Sequence, residues 1–144
     1  MRQVLFMKGS ELRLIEYMEG SKKRFIIPVY QRNYDWKIEN CKQLYDDLIQ
    51  VIKNNSKTHF FGSIVSVYEP SGRNTEFLII DGQQRLTTMS LLFLALYNLL
   101  EEKIIISEDE SLKDQIYEDF LVDKYQPQEK RMKLKPIKND QKAF

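Results

Sequence analysis

Cysteine and histidine are almost missing from this chain, with Cys41 and His59 the sole examples of each. A single cysteine excludes an intrachain disulfide framework, and one cysteine with one histidine excludes a Cys/His zinc site. A bilayer-spanning run is missing too. The longest apolar stretch, Leu86 to Leu100, is interrupted by Thr87, Thr88, Ser90 and Asn98 and falls short of the roughly 20 residues that a membrane-spanning helix requires. No sustained apolar run precedes Ser10, so neither a signal peptide nor a membrane anchor is indicated. The Gly-x-x-x-x-Gly-Lys-Ser/Thr spacing of a P-loop occurs nowhere, and no internal repeat or low-complexity tract is visible. These absences lead to the expectation of a cytoplasmic protein in a reducing environment, with no membrane partner.

What is present is the composition of a globular domain: 144 residues, 42% hydrophobic and 30% charged. One domain over residues 1–144 is expected. The net charge of +1 conceals an asymmetry, because residues 1–123 carry 15 basic and 19 acidic side chains while residues 124–144 carry 7 and 2. The basic C-terminal segment 124–144 suits a nucleic-acid backbone, an acidic face of another domain, or simply solvent.

Local patterns alternate between helix and strand. Ser10, the spacing of Leu12, Leu14, Ile15 and Met18, and then Gly20 predict a short first helix. Phe25-Ile-Ile-Pro28 reads as a strand stopped by proline. Asp35 is placed to cap a helix from Trp36 to about Asn54, with Cys41, Leu44, Tyr45, Leu48, Ile49 and Ile52 on one apolar face. Phe60 to Tyr68 and the Phe77 segment predict a β-hairpin turned by Pro70, Ser71 and Gly72. Leu86 to Leu100 predicts a core helix, Ile104 to Ile106 a strand or a helix–helix connection, and Leu112, Ile116, Tyr117 and Phe120 a further amphipathic helix. Together these predict an α+β fold with a small mixed or antiparallel sheet. Asn139-Asp140 is a typical helix start only four residues before Phe144, so the chain is expected to be a fragment of a longer protein.

Two segments concentrate chemistry. In Phe77-Leu-Ile-Ile-Asp-Gly-Gln-Gln-Arg-Leu-Thr-Thr88, a strand ends in Asp81, turns at Gly82 and delivers Gln83, Gln84 and Arg85 to a helix start. Such a terminus attracts anions, and an arginine there adds donors suited to phosphate. In Pro28-Val-Tyr-Gln-Arg-Asn-Tyr-Asp-Trp36, Gln31 and Arg32 offer hydrogen bonds while Tyr34 and Trp36 offer faces for stacking. The alternative is that these aromatics staple the loop to the core and Arg32 pairs with an acid such as Asp35. Two Gln-Arg pairs, each beside a helix start, favour a shared anionic ligand.

These two motifs, with Phe60-Phe-Gly-Ser-Ile64 between them, resemble the N-terminal domain of GmrSD-type modification-dependent restriction proteins from about Phe25 to the chain end. The resemblance implies a ParB/sulfiredoxin-like fold marked by the Asp-Gly-Gln-Gln-Arg motif. It implies a domain that binds, and hydrolyses, a nucleoside triphosphate to regulate or power DNA cleavage in phage defence. The nuclease often resides in a separate C-terminal HNH domain, and His59 lies outside any His-Asn-His pattern, so DNA cleavage is not assigned here. By the same resemblance Asp81 holds Mg²⁺ or orients the attacking water, and Arg85 neutralises phosphate charge. Gln83 or Gln84 positions the water, and Gly82 shapes the turn. Thr87 donates to phosphate or packs, and packing is favoured for Thr88. Gln31, Arg32, Tyr34 and Trp36 complete the site from the other loop. Asp81, Gln84 and Arg85 are thus the expected catalytic set. Phosphate recognition follows from the residues; turnover rests on the resemblance. DNA is expected to be contacted through the full-length protein and its C-terminal helical or nuclease domain, and a homo-oligomer is left open. The competing reading is a ParB-type reader of modified DNA that performs no hydrolysis, against which the acidic body of the chain counts.

Overall fold

The computed structural model describes residues 13–28, 36–54, 62–71, 74–128 and 131–135. Its elements, in chain order, begin with helix α1 (Leu14–Met18) and strand β1 (Lys23–Ile26), followed by helix α2 (Ile38–Lys53). The hairpin strands β2 (Val65–Ser71) and β3 (Asn74–Asp81) lead into the long helix α3 (Gln83–Glu101). Helix α4 (Leu112–Ile116) runs on into a π-helical turn (Tyr117–Leu121), and strand β4 (Leu134–Lys135) comes last. This is the α+β class that the alternation of patterns predicts.

The four strands form one mixed sheet in the order β2-β3-β1-β4. β2 and β3 are antiparallel, whereas β1 runs parallel to both of its neighbours. Pro70 sits in β2, at the sheet edge, where its missing N–H costs no ladder bond. Pro70 and Ser71 therefore continue the strand, pairing with Thr75 and Asn74, instead of forming the turn expected of them. In register, Phe25 lies beside both Phe77 and Leu134. The period-two alternation of strands puts Phe25, Ile27, Phe77, Ile79 and Leu134 on one face. On the opposite face the register partners Arg24 and Glu76 approach to 4.0 Å.

The core forms on the apolar face. Phe25, Ile79, Leu86, Met18 and Leu134 are almost completely buried, and Leu44, Met89 and Ile27 join them. The rings of Tyr17, Phe25 and Phe77 lie 5.1–5.4 Å apart in pairs, within the range where aromatic contacts add to area burial. Farther along α3, Phe93 stacks on Phe120 at 4.1 Å and Tyr97 meets Tyr117 at 5.3 Å, which fastens the π-helical turn to the helix.

Helix α2 departs from its expected form in two respects. Its N-cap is Lys37, not Asp35, and Asn40 Oδ1 accepts the Lys37 N–H at 2.9 Å. Of its apolar stripe Leu44 is buried and Leu48 packs on the core, while Tyr45 and Ile52 are exposed. The stripe is wider than the surface it rests on. Ile104 to Ile106 form an exposed connection between α3 and α4, one of the two alternatives foreseen. The first helix begins at Leu14 within the described residues; Ser10 lies outside them.

Lys133 is the least expected core member, at 1% exposure. Its ammonium donates to the carbonyl oxygens of Met18, Gly20 and Asp119, closing the C-terminal end of α1 and tying the π-helical turn to β4. Burial, reinforced by the neighbouring charge of Lys23, pushes its pKa down to about 8. Asp123, buried nearby, accepts the amides of Lys22 and Tyr125 and the Gln126 side chain. Burial acts to raise its carboxyl's pKa, but these hydrogen bonds outweigh it and hold the group below its ordinary value.

Candidate functional site

Strand β3 carries a bulge just before its end. Val65 pairs with Asp81 and Ser66 with Ile79, so Ile80 is an extra residue on β3. Regular alternation would put Asp81 on the buried face with Ile79. Instead Ile79 is fully buried, and Ile80 and Asp81 are both exposed. The bulge therefore lifts the carboxylate into solvent at the mouth of the turn.

Gly82 makes the turn. Its φ of +88° is left-handed, a region glycine enters without steric cost. Its N–H donates to Asp81 Oδ1 at 2.9 Å, and its carbonyl accepts the first intrahelical bond from Leu86 at 3.1 Å. A side chain has no room here, because a Cβ would stand 2.9 Å from the Ser63 carbonyl oxygen and 3.0 Å from Ile64 Cγ1. The segment 62–64 thus runs directly against the turn. It was expected to be part of a strand over Phe60–Tyr68, but the strand begins at Val65, since Gly62 has a φ of +102° that extended pairing does not accept. Phe60 and Phe61 lie outside the described residues.

Helix α3 starts three residues earlier than its apolar run, so Gln83, Gln84 and Arg85 occupy its first turn. The first turn of an α-helix carries the positive end of its dipole. Gln84, Thr87 and Thr88 are buried at 7%, 3% and 7% exposure, and Gln83 and Arg85 are half-buried. Thr88 Oγ1 donates back to the Gln84 carbonyl at 2.7 Å, which supports the packing role expected of it. Arg85 lies against the 62–64 segment, and its Nη1 donates to the Ser63 carbonyl oxygen at 3.2 Å. Among the described residues no carboxylate pairs with this guanidinium.

The structure therefore brings Asp81, Gly82, Gln83, Gln84 and Arg85 together at one turn, with Thr87 behind them in the core. Trp36 is half-buried and packs against the core cluster, as in the stapling alternative. Gln31, Arg32 and Tyr34 lie outside the described residues, as does His59. Gly62 and Ser63 were missed as site residues. The available signal was a glycine inside a β-rich run, which often marks a close backbone approach.

Among the described residues no group of three or more His, Cys, Asp or Glu side chains is placed to cage a metal ion. Mg²⁺ does not need such a cage, since it is commonly held by one or two carboxylates, waters and substrate phosphates. An exposed Asp81 beside a phosphate-attracting helix start fits that donor set. A cavity of about 200 Å³ among the described residues lies elsewhere, between α3, the π-helical turn and β4. It is lined by Leu94, Phe120, Met132 and Leu134 with Ser90, Tyr97 and Tyr117. With no charged side chain, it lacks the groups that phosphate chemistry requires. No helix among the described residues is long and apolar enough to cross a membrane.

Comparison with curated proteins returns no significant match. Residues 14–144 match the family described as the GmrSD restriction endonuclease, N-terminal domain. The chain belongs to this family and is a component of a restriction, phage-defence type of protein.

Proposed function

We propose that this GmrSD N-terminal domain binds and hydrolyses a nucleoside triphosphate, acting as the regulatory unit of a restriction protein whose nuclease lies in another domain. The observation that carries the reading is Arg85: a guanidinium at a helix start, held by a main-chain carbonyl and not neutralised by a carboxylate among the described residues. A residue so placed keeps most of its five donors for a ligand, and the ligand it suits is a phosphate.

In this reading the phosphate chain lies at the first turn of α3, where the amides, the helix dipole and Arg85 oppose its negative charge. Bound Mg²⁺ would supply charge neutralisation of the phosphoryl oxygens, with Asp81 as its protein ligand. Gln83, more exposed than Gln84, orients the attacking water, and Gln84 supports the turn from the buried side. Attack on the terminal phosphorus breaks the bond to the bridging oxygen, releasing phosphate and the nucleoside diphosphate. Gln31, Arg32 and Tyr34, which lie outside the described residues, are assigned to the same site on the strength of their sequence motif. The domain works in the cytoplasm, and the basic residues after Asp123 serve contact with DNA or with the rest of the protein.

The test is phosphate release by the chain, and by a longer form carrying its C-terminal domain, with each common nucleoside triphosphate and Mg²⁺. Release is expected in at least the longer form and is expected to fall about 100-fold or more in Asp81→Ala and Arg85→Ala. Undiminished release in both variants, with the fold intact by circular dichroism, would remove these residues from the mechanism.

A further inference from the structure

The half-buried guanidinium of Arg85 rests on a glycine. A Cβ built on Gly62 would lie 2.8 Å from Arg85 Cζ and 3.0 Å from both Nε and Nη1. Carbon atoms in favourable contact stand about 3.5–4.0 Å apart, so the guanidinium occupies the space that any side chain at residue 62 would need. Gly62 also takes a φ of +102°, where an L side chain is strained. The next carbonyl, Ser63 O, accepts from Nη1 at 3.2 Å. That same carbonyl oxygen stands 2.9 Å from where a Gly82 Cβ would be. Two glycines thus let the 62–64 segment wedge between the turn and the arginine, with contacts on both.

We infer that Gly62 is a positioning residue for Arg85, and that together they select a ligand presenting two adjacent oxygens of one phosphoryl group. This inference rests on the nucleotide-site reading. With Nη1 spent on Ser63, the nitrogens left along one edge of the planar guanidinium are Nε and Nη2. That edge is a rigid two-donor fork, which matches two oxygens on a single phosphorus and which a lysine ammonium does not reproduce. A methyl group at residue 62 pushes the guanidinium off its platform and turns the fork away, while the positive charge stays close by. Gly62 acts on orientation, and Arg85 touches the ligand.

The test is calorimetric titration of the 144-residue chain with ATP, GTP, CTP and UTP in Mg²⁺, repeated for Gly62→Ala, Arg85→Lys, Arg85→Ala and the Gly62→Ala/Arg85→Ala double variant. Gly62→Ala is expected to weaken binding about tenfold or more, with no further loss when it is added to Arg85→Ala, since residues acting through one group are non-additive. Arg85→Lys is expected to lose nearly as much affinity as Arg85→Ala. The Arg85 Nε–H resonance is expected to shift on nucleotide addition in the wild type and to lose that shift in Gly62→Ala. Wild-type affinity in Gly62→Ala, or a loss that adds fully to that of Arg85→Ala, overturns the positioning role. Wild-type affinity in Arg85→Lys overturns the fork, and with it the inference, even if strain at residue 62 prevents Gly62→Ala from folding. Binding that is lost in Arg85→Ala but kept in Gly62→Ala sinks this inference alone. A wild-type chain that binds none of the four nucleotides sinks it together with the site.

Discussion

At the scale of single residues, the turn at Asp81-Gly82 depends on a backbone shape that only glycine takes easily. Gly82→Ala is expected to cost about 1–3 kcal/mol in urea unfolding, through strain at positive φ and the clash with Ser63. Lys133 gives a pH signature. Its folded pKa of about 8 is below the ordinary lysine value, so above pH 8 the folded chain releases a proton that the unfolded chain still holds. Stability from this group therefore rises as pH increases from about 8 to about 10.5. Comparing thermal unfolding of the wild type and Lys133→Met across that window checks it, and the variant's profile should lack the rise. Asp123 acts with the same sign, but at acid pH. Its lowered pKa means that its stabilisation is present above the usual carboxylate range and fades as pH falls through the folded value. Asp123→Ala is expected to cost about 1–3 kcal/mol at pH 7, because the Lys22 and Tyr125 amides lose their acceptor. The meeting of Asp81, Gly82 and Arg85 at one strand-to-helix turn was legible in sequence, since an apolar run that ends in an acid and a glycine before a long apolar stretch has few other local shapes. Lys133 was not, because a lysine among lysines reads as solvent-facing until its three carbonyl partners, over 100 residues apart in sequence at the extremes, are brought together.

At the scale of elements, α3 is the axis on which the rest is mounted. Its N-terminal half packs Leu86 and Met89 against the sheet, and its C-terminal half grips the π-helical turn through Phe93 and Tyr97. Phe120→Ala is expected to destabilise by about 2–3 kcal/mol, less than a fully buried ring would, and to loosen the π-helical turn. Amide hydrogen exchange should show faster opening around residues 117–121 and little change at the Asp81 turn. The helix and the hairpin were readable because long apolar runs and β-branched pairs carry strong local signals. The N-terminal boundary of α3 was not, because Gln83 to Arg85 are polar and their helical state depends on Gly82. Nor was the start of β2 legible: Phe60 to Tyr68 is uniformly β-prone, and the break at Gly62 is a response to Arg85 and Gly82, which arrive from 20 or more residues later.

At the scale of the whole molecule, the order β2-β3-β1-β4 places the first strand in the sheet interior and the last at an edge. No local pattern predicts this, since parallel partners are specified by crossovers and not by turns. A chain ending before Lys133 loses both β4 and the buried ammonium, and its unfolding in urea is expected to become shallow and non-cooperative, with a reduced m-value.

That interior position of β1 has a consequence for synthesis. Its neighbours are β3, about fifty residues later, and β4, about 110 residues later, and such distant pairing is slow to form. While the chain is being made, the Phe25 strand leaves the ribosome with both edges bare, one until β3 has followed and the other until β4. Its earliest partner is the strand that ends in Asp81, so the Asp81-Gly82 turn is set in place in the same event that first shelters β1, and a ribosome paused before that point holds out an aggregation-prone edge for a chaperone to cover.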